Sequence, residues 1–108
     1  MKSQKAKSQL ESLAKLAVKF RDERDWQQFH NPKAMILSMQ LEAAELLELT
    51  QWKNGAELLD HLRKHKTDLA DELADVLYWI VTIAHDFDIN LDQAFRSKLR
   101  KSALKYPI

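Results

Sequence analysis

The 108 residues are 45% apolar and 31% charged, with one Gly, two Pro and no Cys, so turn formers are too scarce for an all-β fold. Disulfides, thiolate zinc sites and cysteine nucleophiles are excluded outright. Seventeen basic side chains nearly cancel sixteen acidic ones, leaving a formal net charge of +1 and no global field to recruit polymeric nucleic acid or a membrane surface. No run approaches the roughly 18 to 20 apolar residues that cross a bilayer. Residues 1–10 are polar and basic, without the apolar core of a signal peptide. The expectation is a soluble, cytoplasmic protein forming a single domain over residues 1–108.

The first predicted helix covers residues 3–22, where Leu10, Leu13, Ala14, Leu16, Ala17, Val18 and Phe20 recur at helical spacing. Residues 23–31 break that period with a polar stretch holding Trp26, Phe29 and His30. Asn31-Pro32 then joins an N-cap to a proline at the first helical position, which predicts a second helix running to about Trp52. Asn54-Gly55 reads as its turn and stop signal. Residues 56–66 are charged and fit a short helix leading into a longer one. Thr67-Asp-Leu-Ala-Asp-Glu72 opens the third main helix, which reaches about Phe87 and is acidic in its first turns, as the helix dipole favours. Asn90 caps a fourth, whose Leu91, Ala94, Phe95, Leu99 and Ala103 precede the stop at Tyr106-Pro107. These elements predict an all-α, four-helix-bundle-like fold.

Two acidic repeats dominate the two longest helices: Glu42-Ala-Ala-Glu45 and, after 26 intervening residues, Glu72-Leu-Ala-Asp75. Residues three apart on a helix share a face one turn up, so each repeat presents a two-carboxylate prong. The plain alternative is a pair of solvated faces. Against it, Glu42 and Glu45 are flanked by Met35, Met39 and Leu46 on one side and Leu37, Leu41 and Trp52 on the other. Asp68, Glu72, Asp75, Trp79, Thr82 and Asp86 form one stripe on a helix whose remaining surface is almost wholly apolar. A helix apolar nearly all round is expected to be buried, and buried carboxylates must be neutralised or find cations.

A cage of four carboxylates, Glu42, Glu45, Glu72 and Asp75, meets that need. No Glu-x-x-His pair is present, and His61, His65 and His85 fall outside the stripes, as surface or helix-end residues. All-oxygen ligation selects magnesium, or manganese, and magnesium suggests a phosphate-bearing substrate. Aromatic partners for a nucleobase are Trp26 and His30 before the second helix, Trp52 at its end and Trp79 one turn beyond Asp75, with core packing the alternative for each tryptophan. Lys98, Arg100, Lys101 and Lys105 make the last helix basic, which is a solvated face or a phosphate contact. With Gly55 the single glycine, a Gly-rich phosphate loop is excluded.

Assembled, these residues resemble the MazG-like, all-α nucleoside triphosphate pyrophosphohydrolases of the dCTP-pyrophosphatase type, whose hallmark is ExxE, a spacer and ExxD. The likeness extends to Phe20-Arg-Asp-Glu-Arg-Asp-Trp-Gln-Gln-Phe-His30-Asn-Pro32, to Glu45-Leu-Leu-Glu-Leu-Thr-Gln-Trp-Lys53, to Asp71-Glu-Leu-Ala-Asp-Val-Leu-Tyr78 and to Lys105-Tyr-Pro107. The resemblance implies magnesium-dependent cleavage between the α and β phosphates, giving a nucleoside monophosphate and pyrophosphate. It implies that Glu42, Glu45, Glu72 and Asp75 hold the metal, and that one glutamate, or a metal-bound water beside it, activates the attacking water. It places Trp26, His30 and Trp52 around base and sugar and Lys98 and Tyr106 on the nucleotide, with Trp79 a further substrate-binding candidate. It implies a homotetramer built as a dimer of dimers and a house-cleaning role on a dCTP-like or non-canonical nucleotide. The competing expectations are a non-catalytic helical oligomerisation or cation-binding module, and a dUTPase-like activity.

Overall fold

A computed structural model describes residues 8–108. Among them lie five α-helices, one 3-10 turn and no strand: α1 (Gln9–Asp22), the 3-10 turn (Trp26–Phe29), α2 (Pro32–Glu48), α3 (Gly55–Lys64), α4 (Lys66–Asp86) and α5 (Leu91–Lys105). The all-α class is as expected. The part of the first predicted helix before residue 8 lies outside the described residues.

Helix starts follow local cap chemistry. Ser8 Oγ accepts the Glu11 N–H at 2.9 Å, Asn31 Oδ1 accepts the Ala34 N–H at 2.8 Å, and Asn90 Oδ1 accepts the Gln93 N–H at 3.1 Å, each satisfying an amide that has no carbonyl partner within its helix. Pro32 takes the first helical position, as its missing N–H allows.

Two expected boundaries differ. α2 ends at Glu48, short of Trp52, because the chain tightens into i→i−3 bonds from Leu49 to Leu46, Thr50 to Leu47 and Gln51 to Glu48, and the Thr50 hydroxyl donates to the Leu47 carbonyl at 2.8 Å. Asn54-Gly55 opens α3 instead of stopping α2. Gly55 takes φ +56 there, a left-handed conformation that costs glycine little. Residues 56–64 thus complete α3, the short helix expected here, with His65 between it and Lys66, the first residue of α4.

The end of α4 is a Schellman motif. The Ile89 N–H donates to the Ala84 carbonyl at 2.8 Å and the Asp88 N–H to that of His85 at 3.2 Å, with Asp88 left-handed at φ 53. Glycine is the usual occupant of that position.

The chain divides into two compact units, Trp26–Ile80 and a unit made from residues up to Asp25 with Val81–Ile108. In the second, α1 packs on α5, and Ala17, Arg21, Val81, Thr82 and Ala84 are buried. Arg21 is held there by Asp86, its Nη1 donating to Oδ2 at 2.8 Å and to Oδ1 at 3.1 Å, while Nε donates to Asp22 at 3.3 Å. Burial opposes the charge on both partners. Hydrogen bonding and charge attraction between them, joined by Asp22 on the Arg21 side and His85 on the Asp86 side, together outweigh it, holding Asp86 below the usual carboxylate range and Arg21 above its ordinary value.

In the unit Trp26–Ile80 the fully buried side chain is Met35, 1% exposed. The expectation that the third main helix is buried all round is not met within one chain. Leu73 on α4 is 51% exposed and Leu41 on α2 59%, because these two helices carry more apolar surface than a unit of this size can cover.

Two outcomes follow for stability. Asp86→Ala strands a buried guanidinium and should cost about 1.5–3 kcal/mol in urea unfolding, more than Arg21→Met, which removes the charge with its partner left partly solvated. Because the folded pKa of Asp86 is depressed, this contribution is present above pH ~3.8 and is lost as pH falls through the folded value. The stability gap between wild type and Asp86→Ala should close on acidification. Asp88→Gly should stabilise by about 0.5–1 kcal/mol by removing left-handed strain and an anion at a helix C-terminus, whereas Asp88→Ala should destabilise.

Candidate active site

Glu42 and Glu45 lie in the last two turns of α2 and Glu72 and Asp75 in the middle of α4, in both cases on regular helix, so their spacing translates directly into geometry. Glu42 and Glu45 stand one turn apart on α2, and Glu72 and Asp75 one turn apart on α4, all in the unit Trp26–Ile80. One oxygen from each of the four carboxylates lies within 4.8 Å of the others. Glu42 and Glu72 form a half-buried inner pair, and Glu45 and Asp75 an exposed outer pair.

The inner pair carries the electrostatic cost. Burial, a hydrogen bond shared with Glu45 and the charges of Glu45, Asp75 and Glu72 push the Glu42 carboxyl up to about 7. Burial, Glu45, Asp75 and Asp71 push Glu72 up as well. One side-chain oxygen of Glu42 and one of Glu72 are enclosed without a hydrogen-bond partner. Enclosed, unpartnered carboxylate oxygens converging with two exposed carboxylates fit a hard divalent cation. The absence of imidazole or thiolate from the cluster disfavours softer metals.

Farther along the stripe the residues diverge. Asp86 is committed to Arg21 in the other unit. Trp79, one turn beyond Asp75, contacts the His30 ring at 5.1 Å with 59° between planes, and the Tyr78 ring edge-on at 5.0 Å and 86°. The structure thus brings together two predicted substrate residues, His30 and Trp79, and adds Tyr78, which the sequence showed only as the last residue of a family-like block, with no site role.

The remaining candidates are less enclosed. Trp26 opens the 3-10 turn and is exposed. Trp52 lies in the turn after α2, not on the helix, and is 82% exposed. Lys98 on α5 and Tyr106 at its C-cap are exposed in the unit containing both chain ends.

The arrangement matches known proteins over nearly its whole length. The chain is 38% identical over 101 residues to dCTP pyrophosphatase 1 of Rattus norvegicus, covering 92% of this chain and 59% of that protein. It is 36% identical over 100 residues to dCTP pyrophosphatase 1 of Homo sapiens, covering 91% and 59%. The chain thus spans about three fifths of the length of these curated relatives. A crystal structure of a pyrophosphatase from Archaeoglobus fulgidus superposes with a TM-score of 0.89 at 33% identity, over 99% of this chain and 100% of that one. Residues 37–108, which contain both acidic repeats, match the MazG-like family. The chain belongs to the MazG-like family.

Proposed function

We propose that the chain is a magnesium-dependent nucleoside triphosphate pyrophosphohydrolase that cleaves between the α and β phosphates of a dCTP-like or non-canonical deoxynucleotide. The observation that carries this reading is the convergence of Glu42, Glu45, Glu72 and Asp75, one oxygen each, within 4.8 Å. The names of the relatives, dCTP pyrophosphatase and pyrophosphatase, support the reaction class and point to a pyrimidine substrate.

The four carboxylates would hold magnesium, or manganese in its place, which supplies positive charge to the phosphates and to the departing pyrophosphate. Glu42 and Glu72 anchor the inner side of the cluster, and exposed Glu45 and Asp75 face the side that water and substrate reach. A glutamate of the cluster takes the proton of the attacking water. The water oxygen bonds to phosphorus as the bond to the α–β bridging oxygen breaks, and pyrophosphate leaves with that electron pair. The His30–Trp79 ring pair, its planes inclined at 59°, offers an aromatic corner to the base. Trp26 and Trp52 supply further aromatic contacts, and Lys98 and Tyr106 nucleotide contacts.

Assembly as a homotetramer in the cytoplasm, with a house-cleaning role, completes the reading. The exposed Leu37, Leu41, Leu73 and Ile80 support association of copies.

Pyrophosphate release from a panel of deoxy- and ribonucleoside triphosphates tests the reaction. Release should require magnesium, be highest with dCTP-like substrates and fall by at least about a hundredfold in Glu45→Ala and Asp75→Ala at unchanged helicity. Undiminished release in either variant removes that residue from the site.

A thermal measurement tests the metal. Glu42 titrates near 7 in the folded chain against 4.5 ordinarily, so without metal its contribution to stability is present below about 4.5 and is lost as pH rises through about 7. Magnesium should offset that loss, so the magnesium-induced rise in Tm should grow between about pH 5 and about pH 8. An equal rise at both would mean the ion binds elsewhere.

A further inference from the structure

Away from the carboxylates, α3 ends on a second pair of side chains with ligand chemistry. His61 stands in its last turn and His65 is its C-cap, four residues on and therefore on one face. The two rings lie 4.2 Å apart, centroid to centroid, with 35° between their planes. His65 Nδ1 lies 2.9 Å from the His61 carbonyl oxygen. A carbonyl only accepts, so Nδ1 carries the proton and the lone pair of His65 is on Nε2. That is the arrangement of a metal-ligating histidine, whose second ring nitrogen is tied to a backbone carbonyl.

The neighbouring carboxylates are engaged. Lys64 Nζ lies 3.0 Å from Asp60, and Lys53 Nζ 3.8 Å from Glu57. The ligands left on this part of α3 are imidazoles, whose preference differs from that of the all-oxygen cluster.

We propose that His61 and His65 form a two-imidazole site for a borderline transition cation, of the class of Cu2+, Ni2+ or Zn2+, with water completing its coordination. The two histidines are exposed or half-buried, so an ion reaches them from solvent. His65 is the one residue between α3 and α4. A cation on both rings therefore ties the last turn of α3 to the corner from which α4 begins, and adds stability to the extent that it binds the folded form more tightly than the unfolded chain. The chain would thus sort two kinds of metal, a hard cation to the carboxylates and a nitrogen-seeking one to this helix end. The inference does not depend on the proposed hydrolase activity.

The test is Cu2+ titration of the full chain in saturating Mg2+, read by calorimetry and by electron paramagnetic resonance of the bound Cu2+. Wild type should bind one equivalent with two coordinated imidazoles. His61→Ala and His65→Ala should each weaken binding by about tenfold or more and leave one imidazole, while Glu45→Ala and His85→Ala leave affinity unchanged. His61→Gln and His65→Gln, which keep a polar side chain of similar reach, should behave as the alanine variants do, so a folding defect cannot account for the loss. Unchanged binding in the His61 and His65 variants overturns the proposal, as does a signal that disappears in Glu45→Ala.

Discussion

Four carboxylates with oxygens inside 4.8 Å of one another repel as anions unless a counter-charge sits among them. In the chain alone the conflict is met in part by protons, and the Glu42 carboxyl moves up to about 7. A divalent cation satisfies the same demand by bonding to the oxygens that now lack partners. The choice between proton and metal is the constraint on which the site turns. It is a local constraint, since the chain as a whole is almost neutral at +1.

Helix regularity makes the constraint possible. α2 and α4 run 17 and 21 residues, and each acidic pair lies on regular helix, where a three-residue spacing aims both side chains the same way. The ends of these helices are where the chain spends its local polar chemistry: Asn31 and Pro32 at the start of α2, the Thr50 hydroxyl beyond its end, and left-handed Asp88 beyond α4. Capping satisfies the backbone there, so the helix interiors are free to carry groups that do not stabilise the fold.

The acidic pairs and the capped starts were legible because both depend on neighbours within one turn. Glu42 with Glu45, Glu72 with Asp75, and Asn31 and Asn90 as caps needed no knowledge of the rest of the chain. What was not legible depends on longer reach or on competing local chemistry. The end of α2 is decided by i→i−3 bonds that Asn54-Gly55 does not announce, and Gly55, read as a stop, opens α3. The pairing of His30 with Trp79 joins two segments far apart in sequence. The stripe ending in Asp86 looked continuous, yet Asp86 is committed to Arg21. The apolar surround of α4 suggested burial, but apolar composition alone does not tell whether a core or open surface receives it, and Leu73 and Ile80 are exposed.

The most direct test of the central claim, that these four side chains hold a divalent cation, is manganese anomalous diffraction from crystals grown with Mn2+. The expected result is a peak bonded at roughly 2.1 Å, the distance at which small octahedral dications take oxygen, to oxygens of Glu42, Glu45, Glu72 and Asp75. A peak bound elsewhere, or none at saturating Mn2+, would contradict it.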